Sequence, residues 1–224
     1  MKYWKIYYMK VNGIILGTME ISLFGLISYG FKDYLPNLQN MDNAMYYWFC
    51  LTILTGIWEI SFIMNYEDCV NKSRDLIMKK EHVWFNKYTL DNLLPWKLSK
   101  IFYSEYGAWA DREYMTSVNY WSRLIEGSHA FLCGLVALHC MLGRTEGEEK
   151  TFLILAALSM GTQLMNSILY MGEYFIQTRD PRSVNFYKRA IFPIGILLTN
   201  RGFMYVNIFW TVMPTYCIYS LLVN

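Results

Sequence analysis

Apolar positions in this chain come in long runs, and the charges are confined to the gaps between them. Five runs stand out, at about 11–31, 44–66, 117–142, 151–176 and 202–223. A helix rises 1.5 Å per residue, so roughly 20 mostly apolar residues cross the ~30 Å hydrocarbon layer of a bilayer. One or two such runs suit a buried soluble core. Five predict an all-α integral membrane protein, a five-transmembrane-helix bundle. No internal repeat or low-complexity segment divides the chain, so residues 1–224 read as one membrane domain with two extended loops, 67–116 and 177–201. In the first loop, 71–88 mixes charge with spaced apolar residues and reads as an interfacial helix. The stretch 91–114 is aromatic and basic enough to lie along a headgroup layer. The piece 190–198 is too short to cross, and 143–150 reads as a solvated turn.

Composition agrees with lipid as the solvent. Hydrophobic residues make up 54% and charged residues 17% of the chain, and mean hydropathy is +0.17. The basic residues add an orientation. Lys2, Lys5, Lys10, eight Lys or Arg in 67–116 and five in 177–201 fall on one side of a five-span chain, sixteen of twenty in all. Lys32, Arg144 and Lys150 fall on the other, and Arg123 lies within the third run. The positive-inside rule then predicts the N-terminus inside and the C-terminus outside. A net charge of +2, with no basic stripe interleaved with aromatics, speaks against a nucleic-acid partner. The first run follows about ten residues that lack a small-residue cleavage site, so it reads as an uncleaved first span. Cys50, Cys69, Cys133, Cys140 and Cys217 form no CxxC pair and read as free thiols used as small hydrophobes.

Each run carries a polar residue that lipid penalises: Glu20, Glu59, Glu126 with His129, Glu173 and Asn207. A charge near mid-bilayer costs roughly 2.5–3.5 kcal/mol on insertion scales, so such groups face a bundle interior or a wet cavity. Counted from the basic face at 1.5 Å per residue, Glu20 and Glu126 lie roughly 13 Å deep, Glu59 roughly 10 Å, Asn207 roughly 8 Å and Glu173 roughly 5 Å. Trp210 is one turn deeper than Asn207. The shared depth predicts a polar intramembrane cavity opening toward the basic side. Glu126 and His129, three residues apart, project from one helix face and would exchange a proton with Glu59 across the cavity. Each residue also has a structural reading: an interhelical hydrogen bond for Glu126 with His129, a backbone group or Arg123 as partner for Glu59, packing for Glu20 and Trp210, and access to water for Glu173. His82 and His139 receive no role. No ligand spacing for a metal, no nucleotide-binding loop and no serine-nucleophile motif is present, so no metal or cofactor is expected.

Several stretches, taken in order, carry a resemblance. They are "EISFIMNYED" at 59–68, "SEYGAWADREY" at 104–114, "LIEGSHAFLCGLVAL" at 124–138, "NSILYMGEYF" at 166–175 and "MYVNIFWTVMP" at 204–214. They resemble the emopamil-binding, or EXPERA, family of five-span membrane proteins, which includes the sterol Δ8–Δ7 isomerase. The resemblance covers about 44–220. It implies that Glu59, Glu126, Asn207 and Trp210 line a sterol cavity; Glu20, by its depth, and Thr55, by its place one turn before Glu59, are expected beside them. In an active member, a cofactor-free proton shuttle moves a ring double bond; here it would fall to Glu59, Glu126 and His129.

The chain also departs from the family pattern. The isomerase has a histidine one turn before its second-span glutamate, where this chain has Thr55 or, shifted by one, Gly56. His129 falls where the family has a threonine, and both loops are longer. Three functions follow as expectations. The first is a catalytically degenerate EXPERA protein acting as an accessory subunit of a larger membrane complex, the mitochondrial respiratory chain included among the candidates. The second is an active sterol isomerase, and the third a lipid sensor or transporter. The implied partners are a sterol or other lipid in the cavity, membrane lipids, and other subunits of a complex. The family implies the endoplasmic reticulum; a subunit role also allows the mitochondrial inner membrane.

Overall fold

The structure, a computed structural model, describes residues 10–39, 41–111, 120–143, 149–183, 185–188 and 202–223. For 36, 37, 120–126, 202 and 203 the description is of the backbone. The helices are α1 Gly13–Tyr34, α2 Pro36–Gln39, α3 Asn43–Met64, α4 Tyr66–Lys79, α5 Pro95–Trp109, α6 Tyr120–Leu142, α7 Glu149–Gln177 and α8 Gly202–Val223. Two short strands, β1 Lys10–Asn12 and β2 Lys87–Thr89, pair antiparallel with Lys10 opposite Thr89. The described residues are thus predominantly helical.

Four helical stretches are long and apolar enough to cross a membrane: α1, α3, α7 and Met204–Val223 of α8. In α1 and α7 several polar groups are buried while large apolar ones are exposed. In α7 the buried positions include Ser159, Gln163, Ser167, Tyr170 and Tyr174, while Ile154, Leu158, Met165, Ile168, Leu169 and Ile176 are exposed. In α1, Glu20 is 3% exposed while Leu26 is 70% exposed. Polar groups turned inward and branched apolar ones turned outward are what a hydrocarbon solvent selects. The fold is therefore that of an all-α membrane protein. In α6 the apolar part among the described residues is the shorter Gly127–Leu142.

Close packing joins α3 to α6. A Cβ built on Gly134 would lie 3.1 Å from the Thr52 carbonyl oxygen, and one built on Gly56 would lie 3.0 Å from that of Ala130. With Gly127 level with Ile63 and Gly134 level with Gly56 and Thr52, the two helices run antiparallel. This backbone-to-backbone approach through small residues is the usual way helices associate where lipid removes any hydrophobic drive between them. The main core then gathers Tyr46, Phe49, Ala137, Met141, Ala156, Met160 and Cys217 from α3, α6, α7 and α8. The five cysteines are free and buried.

Several run boundaries move for local reasons. The first run was expected from residue 11, but 10–12 form β1, and the Asn12 side chain caps α1 by accepting from the Ile15 amide at 2.9 Å. The second was expected through Tyr66. The helix stops at Met64, where the Asn65 side chain donates to the Ser61 carbonyl at 2.8 Å and α4 turns away. The segment 71–88 is α-helical only as far as Lys79, with one 3-10 turn at Val83–Phe85. Lys80, at φ 54° in the left-handed region, closes α4, and β2 follows from Lys87. The expected layer at 91–114 contains α5, which starts with Pro95 in the first helical position. The third and fourth runs become Tyr120–Leu142 and Glu149–Gln177, and the fifth keeps 202–223. The piece 190–198 and residues 144–148 lie outside the described residues.

One end of the bundle is tied by polar contacts between distant segments. β1 pairs with β2, and Tyr174 of α7 donates to the Ala110 carbonyl at 3.0 Å. Asn185 donates to Asp111 Oδ1 at 2.7 Å and to Gln177 Oε1 at 2.9 Å, and Tyr170 donates to Asp111 Oδ2 at 2.8 Å. The entry to α1, the α4–α5 platform and the segment after α7 therefore share one end. At the opposite end Lys32 donates to the Met41 carbonyl at 2.8 Å.

Candidate functional site

Two of the expected acids sit where α1, α3 and α5 meet. Glu59, half-buried on α3, accepts from the Tyr103 hydroxyl of α5. Glu20 of α1 accepts from the Trp58 indole at 3.2 Å, and its Oε2 is buried without a hydrogen-bond partner among the described residues. The ring of Phe102, next to Tyr103, packs edge-on to Trp58 at 5.7 Å. Each acid is thus held by an aromatic donor from a neighbouring helix.

A second polar seam runs deeper between α3, α6 and α7. Trp48 donates to Gln163 Oε1 at 3.2 Å, Gln163 donates to Thr52 Oγ1 at 3.0 Å, and Thr52 donates to the Trp48 carbonyl at 2.9 Å. All three residues are buried, so the seam satisfies its polar groups internally. His129 lies on the α7 side of α6. Its Nε2 is 3.4 Å from Cys133 Sγ, and that sulfur is 3.4 Å from Thr162 Oγ1. Trp210 of α8 packs edge-on against Trp48 at 4.9 Å, and its carbonyl accepts from Ser167 at 3.2 Å. Asn207 is one turn nearer the start of α8, and its carbonyl accepts from Thr211 at 3.0 Å. Replacing Gln163 with alanine is expected to strand the Trp48 indole and cost about 1–2 kcal/mol. Unfolding in detergent, followed by tryptophan fluorescence, measures this; an unchanged midpoint would mean that the seam contributes no net stability.

The expected residues fall into separate groups. Glu20 and Glu59 face the α1–α3–α5 corner. Trp210 is level with Trp48, which stands about 16 Å from Glu59 along α3. His129 is not brought to Glu59; Gly127, two positions earlier on α6, is the residue that meets α3 beside Ile63. The side chain of Glu126 lies outside the described residues, and with it the Glu126–His129 pairing. Thr55 spends its hydroxyl on its own helix, donating to the Leu51 and Thr52 carbonyls at 3.0 and 3.1 Å. Glu173 is exposed and accepts from Gln177 at 3.2 Å.

Sequence reasoning passed over Gln163, Thr52, Trp48 and Tyr103. Gln163, a primary amide in the middle of the fourth run, was a usable signal. The aromatic donors gave none, because an indole or phenol in an apolar run looks the same whether it packs or bonds. The tie of Asp111 to Tyr170 and Asn185 was also missed.

Outside the spans, a corner at 88–97 carries a pH-sensitive contact. Asp91 accepts from Lys97 at 2.8 Å and from Thr89. The Lys97 hydrogen bond, followed by that of Thr89, lowers the Asp91 pKa below the ordinary carboxylate value. A depressed folded-state pKa contributes stability that is present above the unfolded value of about 3.9 and is lost as pH falls through the folded value. The corner is therefore expected to hold through mildly acidic pH and loosen only below about pH 4. Fluorescence quenching of the half-exposed Trp96 follows this; loosening already at pH 6 would contradict it.

No family model, curated protein or solved structure gives a significant match to this chain.

Proposed function

We propose that this chain is an EXPERA-like five-helix membrane protein derived from a sterol Δ8–Δ7 isomerase. On this reading it has lost catalysis, keeps a lipid-binding interior and serves as an accessory subunit of a larger membrane assembly. One observation carries the reading. The position that the resemblance reserves for the isomerase histidine is Thr55 or Gly56. Thr55 bonds back to its own helix, and any side chain at Gly56 would meet the Ala130 carbonyl of α6. Neither residue supplies an imidazole to act on a bound lipid. The acid–base candidates whose side chains are described support the same view. Glu59 is held by Tyr103 and Glu20 by Trp58, while His129 lies beside Cys133 on the far side of α6. The first two contacts tie neighbouring helices together, and the third lies within α6.

On this reading α6 is the fifth crossing, since it runs antiparallel beside α3, and the lysine-rich end faces inward. The membrane is the endoplasmic reticulum by resemblance, or the mitochondrial inner membrane if the assembly is respiratory. The test has two arms. The purified chain is incubated with a Δ8 sterol and the products are separated by mass spectrometry; no Δ7 product is expected. Membranes solubilised in mild detergent are resolved on native gels, and the chain is expected to migrate well above its own 26.6 kDa, together with defined partners. Turnover to a Δ7 sterol that vanishes in Glu59→Gln would replace this reading with that of an active isomerase.

A further inference from the structure

We propose that the groove between α4, α5 and the 88–92 corner binds the phosphodiester of a net-anionic membrane phospholipid. The groove encloses about 430 Å3. It is placed at headgroup depth by its attachment to α3. Ser61, three residues before the end of that span, donates to the Trp96 carbonyl at 2.7 Å and accepts from the Ser99 hydroxyl at 2.9 Å. The first turn of α5 therefore lies at the boundary of the hydrocarbon layer, with Trp96 half-exposed beside Lys97, an arrangement typical of interfacial anchoring.

The chemistry of the lining selects the ligand. Lys72, Lys97 and Lys100 face Asp68 and Asp91, which leaves one net positive charge. Asp91 is paired with Lys97 at 2.8 Å. Asp68 stands 3.6 Å from Lys100, a looser contact between exposed groups, and Lys72 makes no ion pair among the described residues. Lys72 and Lys100 are thus available to a single negative charge. A monoanionic phosphodiester matches this charge and these donors. A choline headgroup would bring its own cation to the same lysines. The proposal rests on the membrane reading of the fold and is independent of whether catalysis survives.

The test uses the full chain in nanodiscs of phosphatidylcholine with a minority of phosphatidylglycerol, and native mass spectrometry counts the retained lipids. Phosphatidylglycerol is expected to be retained above its share. Lys72→Gln and Lys100→Gln should each lower that enrichment about fivefold. Lys72→Arg should preserve it, as should Lys150→Gln at the other end of the bundle. Circular dichroism establishes that the variants keep their helices. Absence of enrichment in the wild type, or enrichment unchanged in the double variant Lys72→Gln/Lys100→Gln, overturns the proposal. Occupation of the same lysines by free glycerol phosphate with no lipid retained overturns it too, in favour of a soluble phosphate ligand.

Discussion

Substituting Asp111 with alanine is expected to be the most damaging single change outside the spans. The side chain is 4% exposed and accepts from Tyr170 at 2.8 Å and from Asn185 at 2.7 Å. Asn185 is itself fully buried, and Tyr170 is further engaged with the Tyr106 hydroxyl. Removing the acceptor takes one hydrogen bond from each of two buried donors and opens a void between them. Hydrogen bonds to a charged group are worth roughly 1.5–3 kcal/mol each, so a loss on the order of 3–5 kcal/mol is expected. Asp111→Asn keeps an acceptor for one donor and should cost about half as much. Thermal unfolding in detergent, combined with limited proteolysis of the segment after α7, reads both effects. Equal stability of Asp111→Ala and the wild type would mean that Tyr170 and Asn185 find other partners, and that the tie between α5 and α7 is incidental.

The second large effect is expected where α3 and α6 touch. Gly134→Leu must fit four side-chain carbons where the first already meets the Thr52 carbonyl oxygen at 3.1 Å. The obstacle is backbone, which cannot rotate aside, so the helices must separate and the core around Phe49 and Met141 must open. Overpacking typically costs 1–3 kcal/mol, and with no flexible neighbour to yield, about 3 kcal/mol is expected here. Gly134→Ala should cost much less, since a shift of a few tenths of an ångström relieves it. Gly25→Leu is the control: nothing lies within 4 Å of a Cβ at that position of α1. The steep dependence on side-chain size at 134 and its absence at 25, measured as folded yield and unfolding midpoint, distinguish close helix contact from a general intolerance of bulk.

The membrane character could be read from the sequence because lipid imposes a length of about 20 residues on any helix that crosses it. That constraint found α1, α3, α7 and α8 to within a few residues. It did not reveal that the first loop folds into two helices fastened under the bundle, because those helices draw their stability from contacts such as Ser61 with Trp96, remote in sequence. The expected cavity was inferred from depth alone. Counting residues from a helix end gives height along the helix but not direction around it. Glu59 turns toward α5 and His129 toward α7, and Trp210 meets α3 at Trp48, about three turns from Glu59. Direction is decided by which partner offers a donor or a small residue, and the glycines at 56, 127 and 134 decide it for α6. Glu20 could be recognised as a buried acid, but its partner Trp58 looked like any other aromatic in an apolar run.

The two-stranded pairing at the base of α1 bears on how the chain is made. Residues 10–12 leave the ribosome well before residues 87–89, their only strand partner among the described residues. At 5–20 residues per second that interval is roughly 4–15 s. During it α1 can sit in the bilayer, but the β1–β2 pairing has not yet fixed its foot. The second crossing and the surface helix α4 must both be laid down before the latch can close, so α1 is secured at its foot only well after it has been made.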